Sequence, residues 1–257
     1  MKKRHALVPM AGAGSRFKDE GYSTPKPLLE VLGKPMVVSA ADALPISDKF
    51  IFVVRDFQIN EFNIDKHLKS HFKQSEIIIL NRLTEGQAVT CLEAKSMIDN
   101  DDELVIGASD NGMIYDRMQF ESLCQDADAI VFSFRNNPAV LEKPQAYGWM
   151  QVDSQGFVTK MSVKVPISET PMNDHAVVGA FWFKKGRYFV EAAERMINQN
   201  RRINNELYVD ECINDLIDLG YKVKVFEIDH YVCWGTPKDY ETFQYWDNWF
   251  SKLNNWK

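Results

Sequence analysis

A short apolar run, residues 6–10, opens directly onto Gly12, Gly14, Ser15 and Arg16, and an isolated Pro25-Lys26-Pro27 follows after a gap. This junction restricts the fold more than any other stretch. The run has the length of a buried strand, and glycines at a strand end let backbone N–H groups approach an anion because no Cβ stands in the way. A phosphate site at the end of a strand is therefore expected.

Spacing separates three kinds of phosphate loop. A dinucleotide fingerprint needs a further glycine three residues after Gly14, where Phe17 stands, with a helix following at once. A P-loop needs Gly-Lys followed by Ser or Thr, but Gly33-Lys34 is followed by Pro35, and Leu28 occupies the place of its first glycine. Both fail. What is left is Gly-x-Gly-Ser-Arg, a gap and Pro-Lys-Pro-Leu, with both cations available to a polyphosphate. Taken alone, Gly12 and Gly14 make an equally good tight turn; Arg16 and Lys26 at this distance favour the anion.

The chain around this loop alternates strand-like and helix-like segments. Residues 35–44 read as a helix with proline in its first turn, where the missing N–H costs nothing. Strands follow at 50–54, 76–80, 104–106 and 129–134, with helices at 61–72 and 87–97 between them. This rhythm predicts a mostly parallel sheet with helices on both faces and a ligand beyond the carboxyl ends of its strands. Further on, 147–152 and 157–163 flank Asp153-Ser154-Gln155-Gly156, a β-turn between antiparallel strands. A strand at 176–183, helices at 187–198 and 209–219, a strand at 223–228 and an aromatic-rich helix at 237–249 complete the pattern. No linker, repeat or low-complexity segment interrupts it, so residues 1–257 are expected to form one domain, about 1–135 holding a nucleotide and about 136–257 its acceptor.

With 257 residues, 45% of them hydrophobic, the chain can bury a core of that size. A net charge of −6 argues against a nucleic-acid surface, which needs a clustered excess of Lys and Arg. Cys91, Cys124, Cys212 and Cys233 are widely spaced with no C-x-x-C pair, which predicts reduced thiols and no disulfide. The opening Met1-Lys2-Lys3-Arg4 has the charge of a signal peptide, but the apolar run after it is too short and ends in the glycine loop. No stretch approaches the roughly 20 apolar residues of a membrane span. A cytoplasmic protein without nucleic-acid or membrane partners is expected.

The segment from Ala11 to Met36 closely resembles the signature of the nucleotidyltransferases that make nucleotide sugars, (A/G)-G-x-G-(S/T)-R followed by P-K-P-L and G-x-P-M. Weaker matches continue through Glu85-Gly86-Gln87-Ala88, Asp110-Asn111, Tyr147-Gly148 and Trp234-Gly235-Thr236-Pro237, so the resemblance covers nearly the whole chain. It implies a Rossmann-like three-layer α/β fold, with a mostly parallel mixed sheet between helices and an antiparallel acceptor-binding subregion. By the same resemblance Ala11, Gly12, Ala13, Gly14 and Ser15 bind the nucleotide, and Gly86 and Gln87 meet its base. Arg16 and Lys26 are then catalytic, Asp110 holds Mg²⁺, and Tyr147, Gly148, Lys164 and Gly179 bind the acceptor.

Each position also has a structural reading. Thr84-x-x-Gln87 is a capping box that could serve only to start a helix, and Asp110-Asn111-Gly112 is an ordinary turn sequence. His67 and His71 have the spacing of a metal pair, but lie among Lys66, Lys69 and Lys73 on what reads as an exposed basic face. Trp246, Trp249, Phe250 and Trp256 read as packing or an oligomer contact. Two positions depart from the family. Cys233 stands where a second aspartate is usual, and a thiol is a poor ligand for Mg²⁺. Val163 stands where a glutamate precedes the acceptor lysine, which suggests an acceptor lacking the hydroxyls that a glutamate binds.

The Trp-Gly-Thr-Pro segment and overall pattern look most like the capsule-biosynthesis branch of the family. The resemblance therefore implies CMP transfer from CTP to phosphoglutamine or a related phosphorylated capsule precursor. A uridylyl- or thymidylyltransferase acting on a hexose 1-phosphate shares every motif used, and Gln87, both donor and acceptor, does not choose between bases. An inactive relative that binds nucleotide sugars and regulates a partner is the alternative of another class.

Overall fold

A computed structural model of the chain describes residues 2–254. Its strands are β1 (Arg4–Pro9), β2 (Glu30–Val31), β3 (Lys34–Pro35), β4 (Lys49–Arg55), β5 (Ser75–Leu80), β6 (Glu103–Ile106), β7 (Asn111–Ile114), β8 (Ala129–Phe134), β9 (Gly148–Val152), β10 (Val158–Val163), β11 (His175–Phe183), β12 (Val223–Glu227) and β13 (His230–Cys233). Its helices are α1 (Ser15–Asp19), α2 (Met36–Asp42), α3 (Asp56–Asn60), α4 (Ile64–His71), α5 (Gln87–Leu92), α6 (Lys95–Ile98), α7 (Arg117–Asp126), α8 (Ala139–Glu142), α9 (Gly186–Asn198), α10 (Val209–Asp218) and α11 (Pro237–Asn254).

Nine strands form one sheet in the order β10-β9-β11-β6-β1-β4-β5, with β8 against β11 and β12 against β8. The run β6-β1-β4-β5 is parallel, and β11 enters antiparallel to β6, β8 and β9. The period of two in a strand divides the core between the two faces. Leu7, Ile51, Val53, Leu104 and Ile106 point to one side, where α5, α9 and α10 pack. Ala6, Val8, Phe52, Val54 and Val105 point to the other, against α2, α4 and α7. Helices on both faces of a mostly parallel mixed sheet make the three-layer α/β fold, and each large apolar side chain buried this way contributes about 1.5–3 kcal/mol.

Several elements differ from the local pattern. The helix expected at 61–72 is α4, shortened at its start because Asn63 takes a left-handed conformation (φ 51°), and a separate short helix, α3, precedes it. Residues 87–97 divide into α5 and α6 around Ala94. Helix α7 had a local signal: Asp116 accepts from the amides of Met118 and Gln119 at its start, and Phe120 and Cys124, four apart, are buried. Strands β7 and β13 pair only with each other, antiparallel, with Asn111 opposite Cys233. The expected turn at 153–156 is present; Asp153 accepts from the amides of Gln155 and Phe157, and Gly156 has φ +80°.

All four cysteines are unpaired, Cys91, Cys124 and Cys212 buried and Cys233 partly so. Among the described residues no helix is long and apolar enough to cross a membrane. Trp256 lies outside the described residues.

Candidate active site

Strand β1 leads to β4 on one side, whereas β6 lies on its other side, so the order of the sheet reverses between β1 and β6. In open α/β sheets the ligand crevice lies outside the carboxyl ends of the strands at such a point. Here the loop after β1 carries Gly12 to Arg16, and the segment after β6 carries Ala108, Ser109 and Asp110. Gly12, Ala13 and Gly14 of the loop and all three residues of the segment border a cleft of about 670 Å³; Ser15 and Arg16 follow just outside its lining.

The loop is shaped to meet an anion. Gly14 takes a left-handed conformation (φ 62°) at the start of α1. Among the described residues no protein group accepts a hydrogen bond from the backbone amides of Gly12, Ala13, Gly14, Ser15 or Arg16. Ala11 is buried beneath them, while these five residues are exposed. The Arg16 guanidinium forms no ion pair with any described residue, whereas Lys26 is already engaged. Lys26 opens a single 3₁₀ turn whose Pro27 is buried, and its Nζ lies 2.7 Å from Asp110 Oδ2 across the cleft.

Asp110 is held from behind. Its carbonyl accepts from Trp234 N at 2.8 Å, which fastens the start of β7 to the end of β13. A Cβ on Gly235 would stand 2.9 Å from Asp110 Oδ2, so the glycine of Trp-Gly-Thr-Pro makes room for the carboxylate. The Asp-Asn-Gly sequence is therefore not a turn here; Asn111 begins a strand and donates to Val178 O at 2.7 Å. Cys233 faces the same place. Its sulfur accepts from Gly235 N at 3.3 Å, and burial, with the charge of Asp110, pushes the thiol up to about 12.

These residues fit Mg²⁺ in a limited way. Mg²⁺ takes hard oxygen ligands and usually needs one or two carboxylates besides phosphates and water. Asp110 supplies one carboxylate, partly exposed to the cleft. Cys233, neutral at physiological pH, supplies no second anionic ligand. Among the described residues no group of three or more His, Cys, Asp or Glu side chains is placed to hold a metal ion. His71 Nδ1 instead lies 2.9 Å from the His67 carbonyl.

Gly86 and Gln87 lie at the start of α5. Gly86 has φ +136°, and a Cβ there would stand 2.4 Å from Leu207 N. This close approach lets Leu207 donate to Glu85 O and accept from Ala88 N, both at 2.9 Å, which ties the loop to the lead-in of α10. The expected capping box does not form: Thr84 Oγ1 bonds Gly86 O and Thr90 Oγ1, and α5 has no side-chain cap. Gln87 borders both the cleft and an adjoining recess of about 220 Å³.

The four acceptor candidates divide into two places. Gly179 sits in an irregularity of β11 with φ +91°, a conformation that favours glycine, and it faces Ala108 and Asn111 at ordinary contact distance. It lies beneath the Asp110 segment. Gly148, Lys164 and the carbonyl of Tyr147 meet elsewhere, beside α10, while the Tyr147 ring packs against Phe134. Lys164 has a left-handed backbone (φ 63°), its amide donates to Tyr147 O at 3.0 Å, and its Nζ donates to Ala146 O. The same ammonium stands 5.4 Å from the Tyr208 ring centroid. A Cβ on Gly148 would stand 2.2 Å from Asp210 Oδ2. Burial lowers the Lys164 pKa against the opposing pull of Asp210, and Arg16 lowers it further, so the glycine loop is within electrostatic reach of this end. Burial raises Asp210 in turn. Val163 is buried, so its side chain adds to the core.

The cleft also recruits residues that carried no motif. Lys18, Phe57, Gln58 and Glu61 border it, and Gln58 Nε2 bonds Met10 O at 3.2 Å beneath the glycine loop. Asp210 is the other addition; an acid in the first turn of a helix is too common to have marked it.

Comparison with known proteins follows the same outline. The nucleotidyl transferase family matches residues 5–247. The bifunctional protein GlmU of Listeria innocua is 28% identical over 243 residues, covering 88% of this chain and 49% of GlmU. The UTP–glucose-1-phosphate uridylyltransferase of Streptococcus pneumoniae is 22% identical over 244 residues, covering 84% and 80%. The chain thus spans about half the length of the GlmU relatives it matches. A nucleoside-diphosphate-sugar pyrophosphorylase from Vibrio cholerae shares the fold at a TM-score of 0.75 and 23% identity, covering 93% of this chain and 98% of that one. The inositol-1-phosphate CTP transferase of T. maritima shares it at 0.70 and 12% identity, covering 95% of each. From the family match across almost its whole length, this chain belongs to the nucleotidyl transferase family.

Proposed function

We propose that the chain transfers a nucleoside monophosphate from a nucleoside triphosphate to a phosphorylated small-molecule acceptor and releases pyrophosphate. CTP is the favoured nucleotide, and phosphoglutamine or a related capsule precursor the favoured acceptor. One observation carries the reaction class: the open glycine loop and the Lys26–Asp110 pair border one crevice at the reversal of strand order, with Arg16 following on the same loop. The favoured substrates rest on the likeness of Trp234-Gly235-Thr236-Pro237 to the capsule branch, together with Val163, which stands where the family's glutamate would precede Lys164.

The chemistry asks for few protein groups. An acceptor phosphate oxygen attacks the α-phosphorus and pyrophosphate leaves. A phosphate monoester has its second pKa near about 6, so the nucleophile is already ionised at neutral pH and needs no general base. The barrier is bringing two polyanions together, which positioning and fixed positive charge lower. The loop amides and Arg16 hold the triphosphate, Lys26 stabilises the transferring and leaving phosphates, and Lys164 holds the acceptor phosphate. Gly86 and Gln87 meet the base. Asp110 would hold Mg²⁺, which when bound supplies charge neutralisation to the polyphosphate.

Two other readings have support. The likeness to a UTP–glucose-1-phosphate uridylyltransferase favours uridylyl transfer to a hexose 1-phosphate. The neutral thiol of Cys233 beside Asp110 favours an inactive nucleotide-sugar binder that regulates another enzyme. Pyrophosphate release, assayed with CTP, UTP, dTTP, ATP and GTP against phosphoglutamine, sugar 1-phosphates and alcohol phosphates, separates them. Turnover with CTP and phosphoglutamine is expected. Turnover with UTP or dTTP and a hexose 1-phosphate replaces the substrates, and nucleotide-sugar binding without any turnover replaces the reaction.

A further inference from the structure

Helix α11 is two-faced along its length. Its first half turns Tyr240 and Phe243 toward the body, against Phe17, Tyr22 and Trp234. Its second half carries aromatic side chains outward: Tyr245 is 63% exposed, Trp246 49%, Trp249 45% and Phe250 56%, with Leu253 beside them. The rings contact one another, Trp246 to Trp249 at 6.1 Å and Trp249 to Phe250 at 5.3 Å between centroids. A patch of this kind on one side of a helix marks a contact surface.

The spacing specifies the kind of contact. Thr242, Trp246, Trp249 and Leu253 follow one another at steps of four, three and four, the seam by which one helix packs along another. No acidic side chain occupies a seam position; Asp247 is turned toward the groove that α11 forms with Glu30 and Gly33. We propose that this seam docks a second copy of the chain, with the two α11 helices antiparallel. A two-fold axis between Asp247 and Asn248 then sets Trp246 against the second copy's Trp249 and Leu253 against its Thr242. The same register places Lys252 beside the second copy's Tyr245, a cation against an aromatic ring, and symmetry repeats the pair.

The area is sufficient. Each fully buried aromatic side chain covers about 150–250 Å², so four at about half exposure, with Leu253, offer roughly 500 Å² per copy. Two copies reach about 1,000 Å², the lower bound for a specific interface. A lipid surface fits less well, because α11 sets Asp239, Glu241 and Asp247 against only Lys238 and Lys252 among its described residues, whereas helices that lie on anionic membranes are rich in Lys and Arg.

The test is sedimentation of the unmodified protein over a concentration series, together with Trp249→Lys and a Thr242→Cys/Leu253→Cys variant. Expected are a species of twice 29.6 kDa at micromolar concentration and at least tenfold weaker association for Trp249→Lys with an unchanged melting temperature. Oxidation should convert the double-cysteine variant, and not the parent, to a covalent dimer. A monomer at every concentration overturns the proposal, including one that instead co-sediments with anionic vesicles. A dimer that survives Trp249→Lys and fails to cross-link uses another surface, and overturns it equally.

Discussion

The two ends of the proposed site, one assigned to the nucleotide and one to the acceptor, are built on opposite terms. At the nucleotide end, a continuous stretch of chain leaves its amides open and its cations near the surface, with Lys26 paired to Asp110. At the acceptor end, Lys164, Asp210 and Gly148 come from three separate segments, half-buried and tightly fitted. The first end can take up a polyanion without rearranging its support. The second already holds a desolvated lysine beside a carboxylate, so whatever it binds must improve on that contact. Selectivity should therefore concentrate at the acceptor end, and rate at the nucleotide end.

The largest effects should follow from the nucleotide end. Lys26→Ala and Arg16→Ala are each expected to lower kcat by about a hundredfold or more, the loss seen when a preorganised charge is removed from a transition state. Because both side chains are partly or fully exposed, the melting temperature should hold. Near-normal pyrophosphate release from either folded variant would break the division of labour. Asp110→Asn should raise the half-saturating Mg²⁺ on the order of tenfold, and an unchanged metal dependence would place the ion elsewhere.

At the acceptor end the same kind of change should act on affinity. Lys164→Met is expected to raise the acceptor KM by roughly ten- to a hundredfold, as for a lost hydrogen bond from a charged group, with the nucleotide KM nearly constant. Its stability effect has the opposite sign. A lysine whose folded pKa lies below its ordinary value binds fewer protons folded than unfolded between the two, so stability rises with pH through that window. Removing the charge should therefore raise the melting temperature at neutral pH, by less as the pH approaches the ordinary lysine value. A fall in melting temperature at neutral pH would show that Lys164 is stabilised by Asp210 rather than strained by burial. Gly148→Ala, which drives a Cβ into Asp210, should cost about 1–3 kcal/mol and also raise the acceptor KM; a variant as stable as the parent would mean that Asp210 is loosely held.

The same contrast explains what could be read in advance. Gly12 to Arg16 and Lys26 lie on one stretch where spacing alone separates one phosphate loop from another. The central strands were legible because both of their faces are buried, so that they read as short unbroken apolar runs. Asp210 was not, since its neighbours Gly148 and Lys164 lie far away in sequence. Strands β7 and β13 were missed for the same reason: only their mutual pairing makes them strands. The break at Asn63 depends on a left-handed conformation that asparagine tolerates but does not announce. Helix α7 is a different case, because the Asp116 cap and the Phe120–Cys124 spacing are both local signals.

Cys233 joins the two halves of the comparison, since it is a partly buried neutral group placed at the open end. Two carboxylates in this position would repel each other without a cation and share one when it is present. Cys233→Asp is therefore expected to lower the melting temperature in chelator and to raise it more steeply than the parent as Mg²⁺ is added. The half-saturating Mg²⁺ for turnover should fall several-fold, while kcat at saturating metal changes little, because Lys26 and Arg16 still supply the charge that the transition state meets. The effect is the smallest of the series, since Asp110 already gives the ion one carboxylate and phosphates give it the rest. If Mg²⁺ stabilises the variant no more than the parent, Cys233 lies outside the reach of the ion, and the thiol is a packing residue of the β7–β13 arm.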